Sequence, residues 1–379
     1  MSWRGRAAAA VAGVVGVAAA GTAVGVVRHR REIEHRGPGQ ARLGSLRSTP
    51  RTVIAADGVE LHVEVDEVAP SGRSSGRHRA RTAEADHLTV VFVHGFSLNL
   101  DSWHFQRAGF RGQVRSVFYD QRSHGRSGRS TEGHSTIEQC GEDLLRVIDE
   151  VAPTGRIVLV GHSMGGMTII ALAEEHPELF GDRIAGVCLV ATTAGGLSPA
   201  RMILPFVPEG VGGEVARRVV AALARTSRVV EGVRKVSTPL AMVFTDMFAF
   251  GDDVPASYIE FVDTMISGTH FEVLAEFFPN FEALDKFAVI NAFEKVPTEI
   301  VCGTGDKLTS VGHSRKLHSL LPESTLTEAE GAGHMVLIER HEMVNAAIDR
   351  LLASAASAPV ARAEGASAAS SRGASRKVR

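Results

Sequence analysis

The chain has 379 residues, with 41 Lys and Arg against 43 Asp and Glu, and 44% of its residues are hydrophobic. That is enough apolar material for one large domain or two ordinary ones, and the near-zero net charge offers nucleic acid no global attraction. Cys140, Cys188 and Cys302 stand at unrelated spacings that fit neither a zinc site nor a disulfide framework. Cys188 and Cys302 fall in apolar runs, where a buried free thiol is the simple reading.

Residues 7–27, AAAAVAGVVGVAAAGTAVGVV, carry no charge and have about the 20 residues a helix needs to cross a membrane. Arg4 and Arg6 precede them; Arg28, Arg30, Arg31 and Arg36 follow. The expectation is a single N-terminal membrane span, with the slight excess of Arg after it placing the remainder on the cytoplasmic side. The rival expectation is a signal peptide cleaved near Ala18-Ala19-Ala20, which would release a secreted protein. A polar linker completes residues 1–49. At the other end, residues 355–379 are low in complexity and basic, and read as a disordered tail.

Between the ends, strand and helix patterns alternate. Two period-2 runs flank Asp57-Gly58 and predict a hairpin. A polar insertion at 71–86 follows. Apolar strand-like runs then occur at LTVVFVHG (from Leu88), SVFYD (from Ser116), RIVLVGH (from Arg156), IAGVCLVAT (from Ile184), TEIVCGTGD (from Thr298) and STLTEAE (from Ser324). Helical patterns cover 137–151, 164–176, 311–320 and 335–353. Such alternation predicts an α/β fold with a mostly parallel sheet covered by helices on both faces. In these sheets the chemistry gathers at the carboxyl ends of strands. The residues there are His94-Gly95-Phe96, Asp120, Ser163, Asp306 and His334.

A serine hydroxyl is a weak nucleophile at neutral pH; it needs a base within reach and a group to orient the base. Ser163, Asp306 and His334 supply those parts in chain order. Ser163 sits in Gly-His-Ser-Met-Gly-Gly between a strand and a helix, the context that a nucleophilic corner requires. Glycines at 161 and 165 would let the backbones close in. His94 and His124 read as structural, with no nucleophile to serve, and Asp120 as a brace for a turn, since it precedes Ser163. His162 reads as shaping the pocket. Acidic pairs such as Asp252-Asp253 lack a metal-ligand pattern.

The series VFVHGF, YDQRSHGRSG, GHSMGG, CGTGDKLT and GAGHM resembles the α/β-hydrolase superfamily, in its branch of capped serine esterases, lipases, haloperoxidase-like enzymes and carbon–carbon bond hydrolases. The resemblance covers roughly residues 50–354. It implies an α/β-hydrolase core of 50–194 and 291–354, with a helical cap inserted at 195–290. It implies Ser163 as nucleophile, His334 as general base and acid, and Asp306 as the orienting carboxylate. The backbone N–H groups of Phe96 and Met164 would form the oxyanion hole, with no metal and no organic cofactor. Ser123 stands where the family usually has Gly in D-x-R-G-H-G. A serine at 163 disfavours epoxide hydrolase and haloalkane dehalogenase chemistry, which use Asp there. The implied activity is cleavage of carboxylic esters of apolar or lipid substrates, suited to the Phe- and Met-rich segments RMILPFVPEG, LAMVFTDMFAF and FEVLAEFFPNF. Carbon–carbon bond hydrolysis, acyl transfer to an alcohol, and a non-catalytic binding protein on the same fold stay open.

Overall fold

The computed structural model describes residues 42–69, 88–131, 133–197 and 245–357. The apolar segment 7–27, the insertion 71–86, part of the 195–290 segment and most of the C-terminal tail lie outside them.

The strands are β1 (Pro50–Ile54), β2 (Glu60–Asp66), β3 (Leu88–Val93), β4 (Arg115–Tyr119), β5 (Arg156–His162), β6 (Ile184–Val190), β7 (Thr298–Gly303) and β8 (Thr325–Ala329). They form one sheet in the order β1-β2-β4-β3-β5-β6-β7-β8. The β1–β2 and β2–β4 pairs are antiparallel, and every later pair is parallel. The predicted hairpin closes at Gly58, whose φ of +88° glycine adopts freely.

The helices are α1 (His104–Phe110), α2 (Ile137–Val151), α3 (Met164–Glu175), α4 (Ala256–Gly268), α5 (Phe271–Ala283), α6 (Val311–Leu320), α7 (Val336–Glu339) and α8 (His341–Ser357). Strand residues alternate between two cores. In β5, Val158 and Val160 face a core shared with Phe110 of α1 and with Val344, Ile348 and Leu351 of α8. Ile157 and Leu159 face the opposite core, which takes in Leu144 and Ile148 of α2, Ile169 and Leu172 of α3, and Leu317 of α6. The two-residue period of a strand buried on both faces produces this split. α2 begins at Thr136, whose hydroxyl accepts the Gln139 N–H at 3.1 Å, satisfying one of the free donors at a helix start. The three cysteines are free and buried.

Three sequence expectations change. The stretch 100–110 carries no clear helical pattern, yet forms a 3-10 turn (Leu100–Trp103) and α1. Its inward face includes Gln106 and Arg107, so hydrophobic periodicity could not mark it. The helix expected over 335–353 is two, α7 and α8, broken at Arg340 (φ −129°, ψ 44°), and α8 runs on into the segment read as tail. The third change concerns the membrane. Among the described residues, which do not include 7–27, no helix is long and apolar enough to cross a membrane, so the expected N-terminal span is withdrawn together with the membrane attachment and localisation drawn from it. That expectation rested on length and lack of charge in a run made mostly of Ala, Gly and Val.

Residues 42–49, read as linker, are tied to the sheet. The Ser48 N–H donates to Glu64 at 2.8 Å, and the Ser48 hydroxyl donates to Asp66. Both carboxylates meet the buried guanidinium of Arg107, Glu64 at 2.9 Å and Asp66 at 2.7 Å. Burial pushes the Glu64 carboxyl up, but its hydrogen bonds with His62, Ser48 and Arg107 outweigh this and hold it at about 2, below its ordinary 4.5. Arg107→Ala would leave two buried carboxylates without their cation, and should cost about 3–5 kcal/mol in urea unfolding. A depressed carboxyl stabilises the fold above its unfolded pKa. The Glu64 contribution should therefore be full above pH 4.5 and fade as pH falls toward 2 in an acid titration of unfolding free energy.

Candidate active site

Ser163 stands between the end of β5 and the first residue of α3, with φ 51° and ψ −117°. That is a disfavoured region for a residue with a side chain. The surroundings hold it there. Its N–H donates to Val190 O at 2.9 Å, while its carbonyl accepts from Gly166 N at 2.9 Å and from the Thr192 hydroxyl at 2.6 Å. Three glycines permit the corner. A Cβ on Gly161 would lie 2.6 Å from Gly165 C, one on Gly165 would overlap the Val93 carbonyl, and one on Gly166 would lie 2.5 Å from the Thr192 side chain.

His334 follows β8, in the loop 330–335. Its Nδ1–H donates to Asp306 Oδ2 at 2.9 Å. Asp306, in the loop after β7, also accepts the N–H groups of Leu308 (2.8 Å) and Thr309 (2.9 Å), and lies 2.8 Å from the Thr309 hydroxyl. Burial raises the Asp306 carboxyl, but the His334 charge and these donors outweigh it and hold it below its ordinary value. The carboxylate therefore stays ionised at neutral pH and fixes the Nδ1–H tautomer of His334, leaving Nε2 as the free base. His334 lies against the corner: the His162 Nε2–H donates to its carbonyl at 3.0 Å, and the two rings are 4.8 Å apart. Burial first, then the His334 charge, lowers the His162 pKa to about 3, so His162 is neutral.

The loop after β3 closes the other side of Ser163. A Cβ on Gly95 would stand 3.2 Å from Ser163 Cβ. The N–H groups of Phe96 and Met164 have no hydrogen-bond partner among the described residues. His94 shapes this loop. Its Nδ1–H donates to Gly95 O at 2.7 Å, and its Nε2 accepts the Gln121 N–H at 2.9 Å. Burial lowers its pKa to about 4. Gln121 returns a side-chain N–H to His94 O at 2.6 Å and accepts the Thr168 hydroxyl of α3 at 2.8 Å. Above lies α5. Its Val273, Phe277 and Phe281 pack with Met164, Met167, Phe96 and Leu197.

Asp120 is apart from this group. It accepts Leu100 N at 2.7 Å and Arg126 N at 2.8 Å, and braces the turn after β4. His124 faces Phe96 and Phe277 with ring centroids 5.3 and 5.7 Å away. Burial brings its pKa to about 3. Ser123, the departure from the D-x-R-G-H-G pattern, keeps the left-handed conformation with φ 66°, and its hydroxyl accepts Ser130 N at 2.9 Å. Among the described residues no group of three or more His, Cys, Asp or Glu could hold a metal ion. Sequence reasoning missed Thr309 and Gln121. Thr309 could have been found as the hydroxyl three residues after Asp306, a spacing that favours a local side-chain contact. Gln121 carries no such signal.

Comparison with known proteins agrees with this architecture. The model of the alpha/beta hydrolase family matches residues 90–347. The dihydrolipoyllysine-residue acetyltransferase component of the acetoin cleaving system of Pseudomonas putida is 26% identical over 68% of this chain, and the chain spans 61% of that relative's length. A non-heme chloroperoxidase of Streptomyces lividans is 28% identical over 69% of this chain and 90% of its own length. Among solved structures, the enol-lactonase of Burkholderia xenovorans LB400 superposes with a TM-score of 0.61 at 25% identity, covering 80% of this chain and 100% of that one.

The glycine contacts generate a test. Gly165→Ala must displace the Val93 carbonyl and should lower stability by about 3 kcal/mol or more in thermal or urea unfolding. Gly268, at the end of α4, has nothing within 4 Å of its Cβ position. Gly268→Ala should be neutral or stabilising by up to about 1 kcal/mol in the same measurement.

Proposed function

The chain belongs to the alpha/beta hydrolase family, and from that premise we propose that it is a hydrolase that cleaves carboxylic esters with apolar acyl groups through an acyl-enzyme on Ser163. The observation that carries the reading is the strained Ser163 corner, whose preceding residue His162 bonds the His334 carbonyl at 3.0 Å, beside a His334 ring whose Nδ1–H is held 2.9 Å from an ionised, buried Asp306. His334 Nε2 takes the Ser163 proton as the hydroxyl attacks the ester carbonyl. The free N–H groups of Phe96 and Met164 receive the developing oxyanion; one such donor is worth roughly 3–4 kcal/mol. Met164 begins α3, so the helix dipole adds to this stabilisation. His334 then gives its proton to the leaving alcohol. Water, activated by the same base, releases the acid and restores Ser163.

The segment 195–290 serves as a cap on a core of 50–194 and 291–354. Support comes from α5, whose Phe277 and Phe281 stand over Phe96 and Met164, making an apolar roof for an acyl chain. The enol-lactonase likeness, to an enzyme named for a lactone, an internal ester, supports ester chemistry as well. The acetyltransferase component among the relatives favours a second reading, transfer of the acyl group to an acceptor other than water, such as an alcohol or a thiol.

Treatment of the full chain with a fluorophosphonate, followed by peptide mapping, should place the label on Ser163 and leave Ser163→Ala unlabelled. A p-nitrophenyl ester series should show turnover rising from acetate to longer chains. Asp306→Asn should lower kcat by about 10,000-fold, because the His334 tautomer is no longer enforced. Accumulation of a new ester when an alcohol is added would move the assignment to acyl transfer. Labelling without ester turnover would move it to carbon–carbon cleavage. A folded protein that takes no label would remove the nucleophile and leave a binding protein.

A further inference from the structure

The loop that carries His334 is not held by the sheet alone. Residues 249–252, at and just beyond the end of a short helical stretch at 245–249, press on it backbone to backbone. Met335 N donates to Ala249 O at 2.8 Å. A Cβ on Gly333 would lie 2.5 Å from Gly251 N, and one on Gly251 would overlap the Gly331 carbonyl. So close an approach leaves three N–H groups crowded together, those of Gly251, Asp252 and Gly333. Crowded donors repel one another and need a shared acceptor.

Glu339 is that acceptor. It ends α7, five residues after His334. Its Oε1 takes the Gly333 N–H at 2.7 Å; its two oxygens take the Gly251 N–H at 3.3 and 3.2 Å; its Oε2 takes the Asp252 N–H at 3.3 Å. One carboxylate thus bridges the residue immediately before His334 to the segment leading into α4. Beside it, Arg340 pairs with Asp252 through side chains only, a tie between the same segments that does not involve Gly333.

We propose that Glu339 is a positioning residue whose carboxylate locks the His334 loop to residues 251–252, in the middle of the 195–290 insertion and just before α4, so that the proposed base and the proposed roof over the substrate move as one body. The inference rests on the catalytic reading of His334 given above. Glu339 touches neither substrate nor the reacting atoms; it acts through the Gly333 N–H. Losing it frees the loop, and a base displaced by a fraction of an ångström transfers a proton more slowly.

The test uses the full chain and the rate at which a fluorophosphonate labels Ser163, with kcat and KM for p-nitrophenyl butyrate and the melting temperature alongside. Glu339→Ala should slow labelling and kcat by about tenfold or more, with KM changing far less. Glu339→Gln keeps an oxygen for the Gly333 N–H but turns an NH2 donor toward the Gly251 and Asp252 N–H groups, and should recover part of the rate that Glu339→Ala loses. Arg340→Ala, which breaks the Asp252 tie and the weaker bonds to Glu330 O (3.4 Å) and Glu339 O (3.2 Å) but leaves the Gly333 N–H bonded to Glu339, should label much closer to the wild type than Glu339→Ala does. If Glu339→Ala does not fold, Glu339→Asp takes its place: its carboxylate is one methylene too short to span both segments, and labelling should slow in a folded protein. Wild-type labelling in the Ala or Asp variant would overturn the proposal. So would equal losses in Glu339→Ala and Arg340→Ala that follow the melting temperature. Amide exchange at Gly251, Asp252 and Gly333, read by mass spectrometry, separates the two layers. Faster exchange in Glu339→Ala with an unlabelled wild-type Ser163 would sink the catalytic reading and keep the clamp; unchanged exchange would sink the clamp.

Discussion

The arrangement at the carboxyl edge of the sheet depends on a single backbone corner. Ser163 occupies a conformation that costs about 1–3 kcal/mol and persists only where its neighbours over-determine it. β5 lies between β3 and β6, buried on both faces, so the strand entering the corner cannot shift. α3 cannot retreat either, because Gly161 and Gly165 bring its first turn into contact with β5 and with the end of β3. The Val190 carbonyl and the Thr192 hydroxyl hold the Ser163 peptide groups on the β6 side. With strand and helix fixed, the half-buried side chain is left on the outside of the bend. Exposure of the hydroxyl is thus a consequence of packing that takes place beneath it.

Charge around the corner is sorted with equal economy. His94, His124 and His162 are all buried, and burial keeps each neutral at physiological pH. The consequence is sharpest for His162, whose ring lies 4.8 Å from that of His334. A cation there would oppose the imidazolium that His334 would become in the proposed reaction. A neutral His162 instead spends its Nε2–H on the His334 carbonyl and fixes the loop. Asp306 remains the charged partner of His334, and the interaction gains strength from the loss of solvent around a carboxylate that is itself almost fully covered.

Much of this was legible from residue order because strands buried on both faces write continuous apolar runs. β3, β5, β6 and β7 read clearly, and Ser163, Asp306 and His334 each follow such a run or the β8 strand. The same logic explains what was not legible. α1 turns Gln106 and Arg107 inward, where Gln106 donates to Leu337 O at 3.1 Å and Arg107 pairs with Glu64 and Asp66; polar residues at core positions silence the periodicity. Gln121 and Thr309 act on backbone atoms and on side chains distant in the chain, and only the folded loops bring those partners near. Ser123 shows that the turn after β4 needs its left-handed backbone more than it needs glycine, since a hydroxyl bond to Ser130 N is available in return.

The site is then best regarded as two bodies meeting at Ser163. The first is the sheet with its corner, the Gly95-Phe96 loop, and the His94–Gln121–Thr168 bonds that brace that loop against α3. It holds the proposed nucleophile and both proposed oxyanion donors, all fixed relative to one another. The second is the His334 loop with residues 249–252, joined through Glu339 and through direct backbone contact. Asp306 stands where they touch, anchored to the first body by its place after β7 and to the second by the His334 Nδ1–H. Relative movement of the two would change the distance from base to hydroxyl and leave the oxyanion hole intact. The proposed roof residues of α5 belong to the same segment, 195–290, as residues 249–252. In the proposed reading, binding beneath that roof and placement of the proton acceptor are coupled through Glu339 without a hinge in the sheet.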